Sequence, residues 1–166
     1  LILGSILLVT FVLFSGALQA GFVNWDDDVN LLENIYTEQL TLENVKNIFS
    51  THVIGNYNPL SILTLAIERH FFGIESARPY HLTNLLLHLI CVIFVFRSVR
   101  LMRGGLLAAG LVATLFAVHP MRVESVVWVT ERKDVLFGAF YLAAFSCYLR
   151  YLWGKRKDKK WLYFAL

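Results

Sequence analysis

The sequence predicts an all-α protein that crosses a membrane several times. Of its 166 residues, 57% are hydrophobic and only 16% are charged, and the mean hydropathy is +0.60. An average soluble domain is about one quarter charged. Several windows also approach the roughly 20 apolar residues that are needed to cross a bilayer. We therefore predict a polytopic transmembrane helical bundle, forming a single partial membrane domain over residues 1–166.

Apolar windows give the positions of the predicted spans. The first window has no charged residue, and its apolar core is longer than that of a secretory signal peptide. Because the chain starts and stops inside apolar runs, we expect both ends to continue in a longer protein. The predicted spans cover about residues 1–22, 80–96, 106–118 and 135–153, and a fifth starts at Trp161.

The charges of the connecting loops predict the orientation of these spans. Loop 97–103 contains three arginines and no acid, and loop 150–160 contains six basic residues against one acid. Loop 21–79 contains eight acids and three bases, and loop 119–134 is balanced. Because basic loops stay in the cytoplasm, we expect loops 21–79 and 119–134 on the opposite, outer side.

The first outer loop is predicted to contain two amphipathic interfacial helices. Thr41 is a good N-cap for a short helix, and Pro59 is suited to the first turn of a second one, which should stop at Gly73. An apolar stripe on the second helix would let it lie flat on the membrane surface. This stripe comprises Leu60, Leu63, Ile67 and Phe71.

Three adjacent carboxylates, Asp26, Asp27 and Asp28, follow the first span directly. Since like charges repel one another, the cluster calls for an explanation. It would serve as a topology signal, a cation site, or an acid/base centre that takes a proton from a hydroxyl. A solvated acidic loop that caps a helix is an equally good interpretation of these residues alone.

The second outer loop, residues 119–134, packs a histidine, three acids and three bases into sixteen residues. We predict a short amphipathic helix, on which Glu124, Trp128 and Glu131 share one face. Arg132 and Lys133 would then be able to hold a phosphate near the lipid headgroups. The alternative is internal ion pairing, but exposed pairs contribute only about 0–1 kcal/mol, so we favour a functional role.

Polar residues also follow one face of the second span. His81, Asn84, His88 and Cys91 are spaced by three, four and three positions. Polar side chains in a membrane normally face the interior of the bundle, so we favour hydrogen bonds between helices over metal binding. The basic run at residues 155–160 is interpreted as a topology anchor that binds membrane lipids. No stacking surface accompanies it, so we expect no nucleic-acid partner.

Four motifs carry a resemblance that covers nearly the whole chain. The chain resembles the N-terminal membrane portion of the transmembrane-and-tetratricopeptide-repeat proteins, which belong with the protein O-mannosyltransferases in the type-C glycosyltransferase superfamily. The last motif reads His-Pro-Met-Arg-Val-Glu-Ser-Val-Val-Trp-Val-Thr-Glu-Arg-Lys-Asp. The motifs lie at Phe22–Asp28, Tyr57–Ser61, Tyr80–His88 and His119–Asp134.

The resemblance implies roles for residues of both outer loops. Asp26 and Asp27 match an acidic catalytic pair of the family, with Asp26 as the base, and Asp28 is an additional acid outside that pattern. In the second loop, Arg132 and Lys133 are assigned by the resemblance to the phosphate of the donor. Two further matching residues are given a supporting role, His119 and Glu124.

The resemblance also implies a reaction. A polyprenyl-phosphate sugar, the lipid-linked donor, would give a hexosyl or mannosyl group to a hydroxyl acceptor, often Ser or Thr of a protein, or a glycan. The reaction would take place on the periplasmic, extracellular or lumenal face of a bacterial, archaeal or endoplasmic-reticulum membrane. The aspartate cluster would suit a divalent cation, but the resembled O-mannosyltransferases do not generally require one, so the resemblance implies no cofactor besides the lipid-linked sugar donor. The alternative is a non-catalytic anchor for a C-terminal repeat scaffold, or a transporter subunit.

Overall fold

The computed structural model describes residues 1–153 and 159–166, and it is helical, as predicted. In the described part of the chain, β-type pairing is limited to an isolated bridge between Val53 and Asn56. The helices are α1 (Ile2–Phe14, continued by a 3-10 turn, Ser15–Gln19), α2 (Ile35–Glu38), α3 (Leu42–Ile48), α4 (Pro59–Phe72), α5 (Arg78–Leu101), α6 (Leu106–Ala117), α7 (Arg122–Val127), α8 (Arg132–Trp153) and α9 (Lys159–Tyr163). A π-helical turn, Asp28–Leu32, precedes α2.

Three helical segments are long and apolar enough to cross a membrane. They are Ile2–Gln19, Arg78–Leu101 and Arg132–Trp153, with 18, 24 and 22 residues. At about 1.5 Å per residue, they extend over roughly 27 to 36 Å, which matches the bilayer core of about 30 Å. The chain is therefore an integral membrane protein with a helical bundle.

The third predicted span, residues 106–118, is shorter than a transmembrane helix. Helix α6 has 12 residues, or about 18 Å of helix. It follows a tight turn in which Arg103 has a φ of 65° and the amide of Gly104 donates to the carbonyl of Val99. A Cβ at Gly104 would lie 2.7 Å from that carbonyl oxygen, so the turn requires glycine at this position.

Helix α5 is the central helix of the bundle. It contacts α1, α6, α7 and α8, and its buried polar stripe makes interhelical hydrogen bonds. The side-chain amide of Asn84 donates to the carbonyl of Trp128 at 2.9 Å, and His88 bonds the carbonyl of Ala117 at 2.9 Å. Cys91 lies 3.6 Å from the carbonyl of Val135. The expected role in hydrogen bonds between elements is confirmed for Asn84, His88 and Cys91, whereas both ring nitrogens of His81 are buried and have no hydrogen-bond partner within the described residues.

At one end of the bundle, segments 20–77 and 118–134, the second of which includes the first turn of α8, pack together, and we call them the cap layer. An apolar core joins them, formed by Leu31, Ile48, Ile62, Leu65, Ala66, Tyr80 and Val129. Both helices predicted in the first loop are present. The hydroxyl of Thr41 accepts from the amide of Asn44 at the start of α3, and α4 ends at Gly73 with a φ of 66°.

Most of the apolar stripe of α4 points away from the protein, although Leu63 is partly buried against the cap-layer core. Leu60, Ile67 and Phe71 are exposed, and Phe71 is 70% exposed. The opposite face is buried and includes Leu65 and Glu68. An exposed apolar stripe on a helix that packs by its other face suits a helix lying in a membrane surface.

The prediction of one helix through residues 119–134 is wrong. Helix α7 ends at Val127, and Trp128 has extended backbone with a ψ of 126°. Glu124, Trp128 and Glu131 therefore do not share a helical face. The reason lies in other elements, because Asp27 binds the amide of Thr130 and Asn84 binds the Trp128 carbonyl. These side chains satisfy backbone groups that a continuous helix would have paired internally. The predicted basic run at 155–160 lies mostly outside the described residues.

Candidate active site in the cap layer

Asp27 is buried, and its hydrogen bonds link the two segments of the cap layer. Its side chain is 0% exposed. One carboxylate oxygen accepts from the amide and the hydroxyl of Thr130, at 3.1 and 2.8 Å. The other accepts from the amide of Val23, at 2.9 Å. Since a buried carboxylate requires such donors, Asp27 holds the end of the first apolar helix against the segment before α8.

Asp26 faces the opposite way and lines a narrow polar cleft. It is half-buried, and no hydrogen bond or ion pair engages its carboxylate within the described part of the chain. The side-chain amide of Asn30 donates to the backbone carbonyl of Asp26 at 2.8 Å, which fixes the turn. Asp28 begins the π-helical turn and does not line the cleft. Of the three acids, Asp26 is therefore the one that lines this cleft.

The cleft has a volume of about 10 Å³, which is room for about one water molecule. Its walls come from the π-helical turn, the hairpin before α4, the start of α4 and the start of α8. Sequence reasoning did not assign a role to the amide and hydroxyl groups in these walls. Two of these residues, Asn58 and Ser61, lie in the Tyr57–Ser61 motif, so this motif could have indicated them from the sequence. The lining polar residues are Asp26, Asn30, Asn56, Asn58, Ser61, Thr130 and Lys133.

Lys133 lies at the junction of this cleft with a wider groove. Its side chain is 33% exposed, and its ammonium is 2.8 Å from a carboxylate oxygen of Glu131. It also interacts electrostatically with Asp26. The adjoining groove has a volume of about 290 Å³ and is walled mainly by Pro59, Leu60, Leu136, Phe137 and Phe140. The junction thus places a cation between a polar cleft and an apolar groove.

Arg132, which we expected beside a phosphate, is 0% exposed. All three nitrogens of its guanidinium are engaged by the protein. One donates to Glu68 and, more weakly, to Thr64 at 3.4 Å. The others donate to the Asn84 side chain at 2.8 Å and to the Tyr80 carbonyl at 2.9 Å. Arg132 thus links α4, α5 and α8. Its guanidinium is buried and is not accessible to a donor phosphate, contrary to the expectation from the sequence.

Glu68 is the partner that the sequence did not reveal. The residue lies off the apolar stripe of α4, and its side chain is buried against Arg132. The sequence did contain one indication of this role, because Glu68 is a charged residue on the face of α4 opposite the apolar stripe. Such a charge is expected to point either into solvent or to a buried partner, and the sequence does not distinguish these two cases.

The two residues expected to support the site lie outside the cleft. His119 is exposed, and its ring nitrogen accepts from the amide of Met121 at 3.2 Å. Glu124 is also exposed, in the first turn of α7. Among residues 1–153 and 159–166, no group of three or more histidine, cysteine or acidic side chains is arranged to hold a metal ion.

These features define a class of protein. It is an integral membrane protein of helices whose cap layer brings a carboxylate and a cation together beside an apolar groove. No family model matches the chain, and no solved structure matches it.

Curated relatives give the family. The chain is 32% identical to protein O-mannosyl-transferase Tmtc1 of Drosophila melanogaster in an alignment of 160 residues that covers 88% of this chain and 18% of that protein. It is 30% identical to protein O-mannosyl-transferase Tmtc2 of the same species, over 93% of this chain and 17% of the relative. Protein O-mannosyl-transferase TMTC3 of Mus musculus is 33% identical over 57% of this chain and 10% of its own length. The chain belongs to this family, and it spans less than a fifth of the length of these relatives.

Proposed function

We propose that this chain forms part of the active site of a membrane glycosyltransferase that moves a mannosyl or other hexosyl group from a polyprenyl phosphate to a hydroxyl of a protein. The observation that carries the proposal is the cleft in which Asp26 and Lys133 lie together. The names of the relatives, protein O-mannosyl-transferases, support the same reaction class.

In this proposal, Asp26 is the catalytic base. The carboxylate takes the proton of the acceptor hydroxyl as the oxygen attacks the anomeric carbon of the sugar. The bond between that carbon and the phosphate oxygen breaks, and its electron pair leaves with the phosphate. Asp26 is suited to this role because no protein donor occupies its carboxylate within the described residues. Asp27 is a positioning residue, since it fixes the turn that carries Asp26.

Lys133 is proposed to bind the donor phosphate. A lysine ammonium next to the leaving group offsets the negative charge that develops there. The groove on the other side of Lys133 offers an apolar wall for the first isoprene units of the lipid. A carboxylate oxygen of Glu131 lies 2.8 Å from the ammonium of Lys133. A bound phosphate would therefore either share this ammonium with Glu131 or replace Glu131 as its partner. We do not include Arg132 in donor binding, because its guanidinium is buried and fully engaged.

Substitution of the carboxylate tests the base. In the full-length protein, Asp26→Asn should lower transfer to a Ser/Thr peptide by about 10²–10⁴-fold, the usual contribution of a general base. Asp28→Asn is the matched control, because it removes a neighbouring acid outside the cleft, and it should keep most of the activity. Equal activity of wild type and Asp26→Asn would refute the catalytic role.

Substitution of the cation tests donor binding. Lys133→Gln should raise the KM for the lipid-linked sugar more than the KM for the peptide, while Lys46→Gln, at an exposed lysine of α3, should change neither. An unaltered KM for the donor in Lys133→Gln would remove Lys133 from the site. If Lys133→Gln raises only the KM for the peptide, Lys133 belongs to the acceptor-binding part of the site.

The proposed face of the reaction is the non-cytoplasmic one, on the basis of the loop charges. A cysteine at the exposed Glu38 position of the cap layer should react with an impermeant thiol reagent added from outside. The parent protein, in which Cys91 is buried and Cys147 partly buried, gives the background. If Glu38→Cys is labelled only after the membrane is opened, this loop faces the cytoplasm and the proposed orientation is wrong.

A further inference from the structure

A second cavity lies beside α8, apart from the cleft of Asp26. It has a volume of about 290 Å³ and is bounded by α5, α6, α7 and α8. Arg122 and Asp134 border it in the cap region, and it reaches His88 and Cys91 of the central helix. The volume approaches the lower end of the range for small-molecule pockets, about 300 Å³.

The walls of this cavity are apolar, and part of them faces the surroundings of the bundle. Phe137 and Tyr141 line it, are 69% and 59% exposed, and stack on each other at a centroid distance of 5.9 Å. Between Asp134 and Leu142, the lining of α8 extends over about two helical turns, or about 12 Å. The cavity thus joins charged groups at a membrane surface to an apolar wall within the span.

Arg122 borders the cavity with a charge that its own helix does not favour. It is the first residue of α7, where a positive charge is unfavourable because the helix dipole is positive at that end. Within residues 1–153 and 159–166, no carboxylate lies within ion-pair distance of its guanidinium. Its contact is with the ring of Phe116, at 5.4 Å. An arginine in this position is suited to bind a phosphate from outside the chain.

Asp134 supplies the opposite charge at the same cavity. The hydroxyl of Ser125 donates to one of its carboxylate oxygens at 3.1 Å, and the side chain is exposed. Its place in the first turn of α8 is favourable on its own account. The two side chains border one cavity without forming an ion pair with each other. A molecule that carries both a phosphate and an ammonium would complement both charges.

We propose that this cavity binds a zwitterionic aminophospholipid. Arg122 binds the phosphate, Asp134 binds the ammonium of the headgroup, and one acyl chain lies along Phe137 and Tyr141. Apolar contact with the chain and charge complementarity with the headgroup both contribute to the affinity. The site is distinguished from the proposed sugar-transfer site by Arg122 and Asp134, which do not line the cleft of Asp26, whereas Phe137 also borders the groove beside Lys133.

Native mass spectrometry of the delipidated full-length protein in detergent tests this site. Phosphatidylethanolamine and phosphatidylglycerol with identical acyl chains are added separately. The wild type should retain more phosphatidylethanolamine. Arg122→Ala should weaken retention of both lipids at least about tenfold, the loss expected for a missing charged hydrogen bond. Asp134→Asn should remove the preference for phosphatidylethanolamine while phosphatidylglycerol is retained as before or better.

Arg78→Ala is the matched control. Arg78 is an exposed arginine at the start of α5, at the same end of the bundle, and it does not line the cavity. This variant should retain both lipids like the wild type. Equal loss in Arg78→Ala and Arg122→Ala, or no loss in Arg122→Ala, would overturn the proposal. Competition by free phosphoethanolamine at the concentration of the lipid would also overturn it, because the apolar wall would then contribute nothing.

Discussion

Each half of the cap layer contains two neighbouring charged residues with opposite surroundings. Asp27 is fully buried and engaged by three donors, whereas Asp26 lines an open cleft and has no protein partner for its carboxylate in the described chain. Arg132 is fully buried among α4, α5 and α8, whereas Lys133 borders the same cleft. The buried member of each pair holds the cap layer together, and its neighbour is available for a ligand.

This division has a simple geometric origin. Successive residues in a helix or helical turn point about 100° apart, so of two adjacent charges one can face the cleft while the other faces the packed interior. A buried charge must find several partners, and those partners come from distant parts of the chain. Asp27 finds Thr130, and Arg132 finds Glu68. The buried charges therefore fix the relative positions of Asp26 and Lys133, which come from different loops.

The largest effect is expected at the Arg132–Glu68 ion pair. Arg132→Met leaves the carboxylate of Glu68 buried without its partner, which should lower the free energy of unfolding by about 3–5 kcal/mol. Thermal and denaturant unfolding of the purified protein in detergent measures this loss. The double variant Arg132→Met with Glu68→Leu should recover much of it, because no charge is then left buried. A double variant less stable than Arg132→Met would contradict this account.

A smaller loss is expected at Asp27. In Asp27→Asn, an amide NH₂ group replaces one carboxylate oxygen and must face either the Val23 amide or the two donors of Thr130. Leaving buried donors without an acceptor costs about 2–3 kcal/mol. The same unfolding measurement, with Asp28→Asn as the control, gives the comparison. Similar losses in the two variants would mean that Asp27 has no special part in joining the loops.

The sequence predicted most of the helices well, because helix formation depends largely on local patterns. Hydropathy predicted the long apolar helices, and the capping residue Thr41 and the stop at Gly73 predicted the ends of α3 and α4. The sequence also brought the acidic cluster and the second loop together as one site. Whether these residues act as proposed is a question for the transfer assays.

The sequence did not predict which charge of each pair is buried. That choice depends on partners far along the chain, such as Thr130 for Asp27, 103 positions away, and Glu68 for Arg132, 64 positions away. It also did not predict the break after Val127, because helix propensity there is overruled by side chains of other elements. Local rules contain no information about such contacts.

Removal of one donor should have a moderate effect. Thr130→Val removes the hydroxyl that donates to Asp27 at 2.8 Å but keeps the shape of the side chain and the bond from the backbone amide. We expect a loss of about 1.5 kcal/mol, at the low end for a hydrogen bond to a charged group. Thr130→Ser, which keeps the hydroxyl, is the control. If both substitutions cost the same, packing and not the hydrogen bond holds the two loops together.

The smallest effect on stability is expected at the two residues that face the cleft. Lys133→Gln removes a partly exposed ion pair with Glu131, for which a change of about 0–1 kcal/mol is typical. Asp26→Asn removes no protein hydrogen bond of the described chain and should change stability by less than about 0.5 kcal/mol. Both variants should unfold near the wild-type midpoint while they lose transfer activity. A loss of stability as large as that of Arg132→Met would contradict this contrast. It would mean that the cleft residues hold the cap layer together as strongly as the buried charges do.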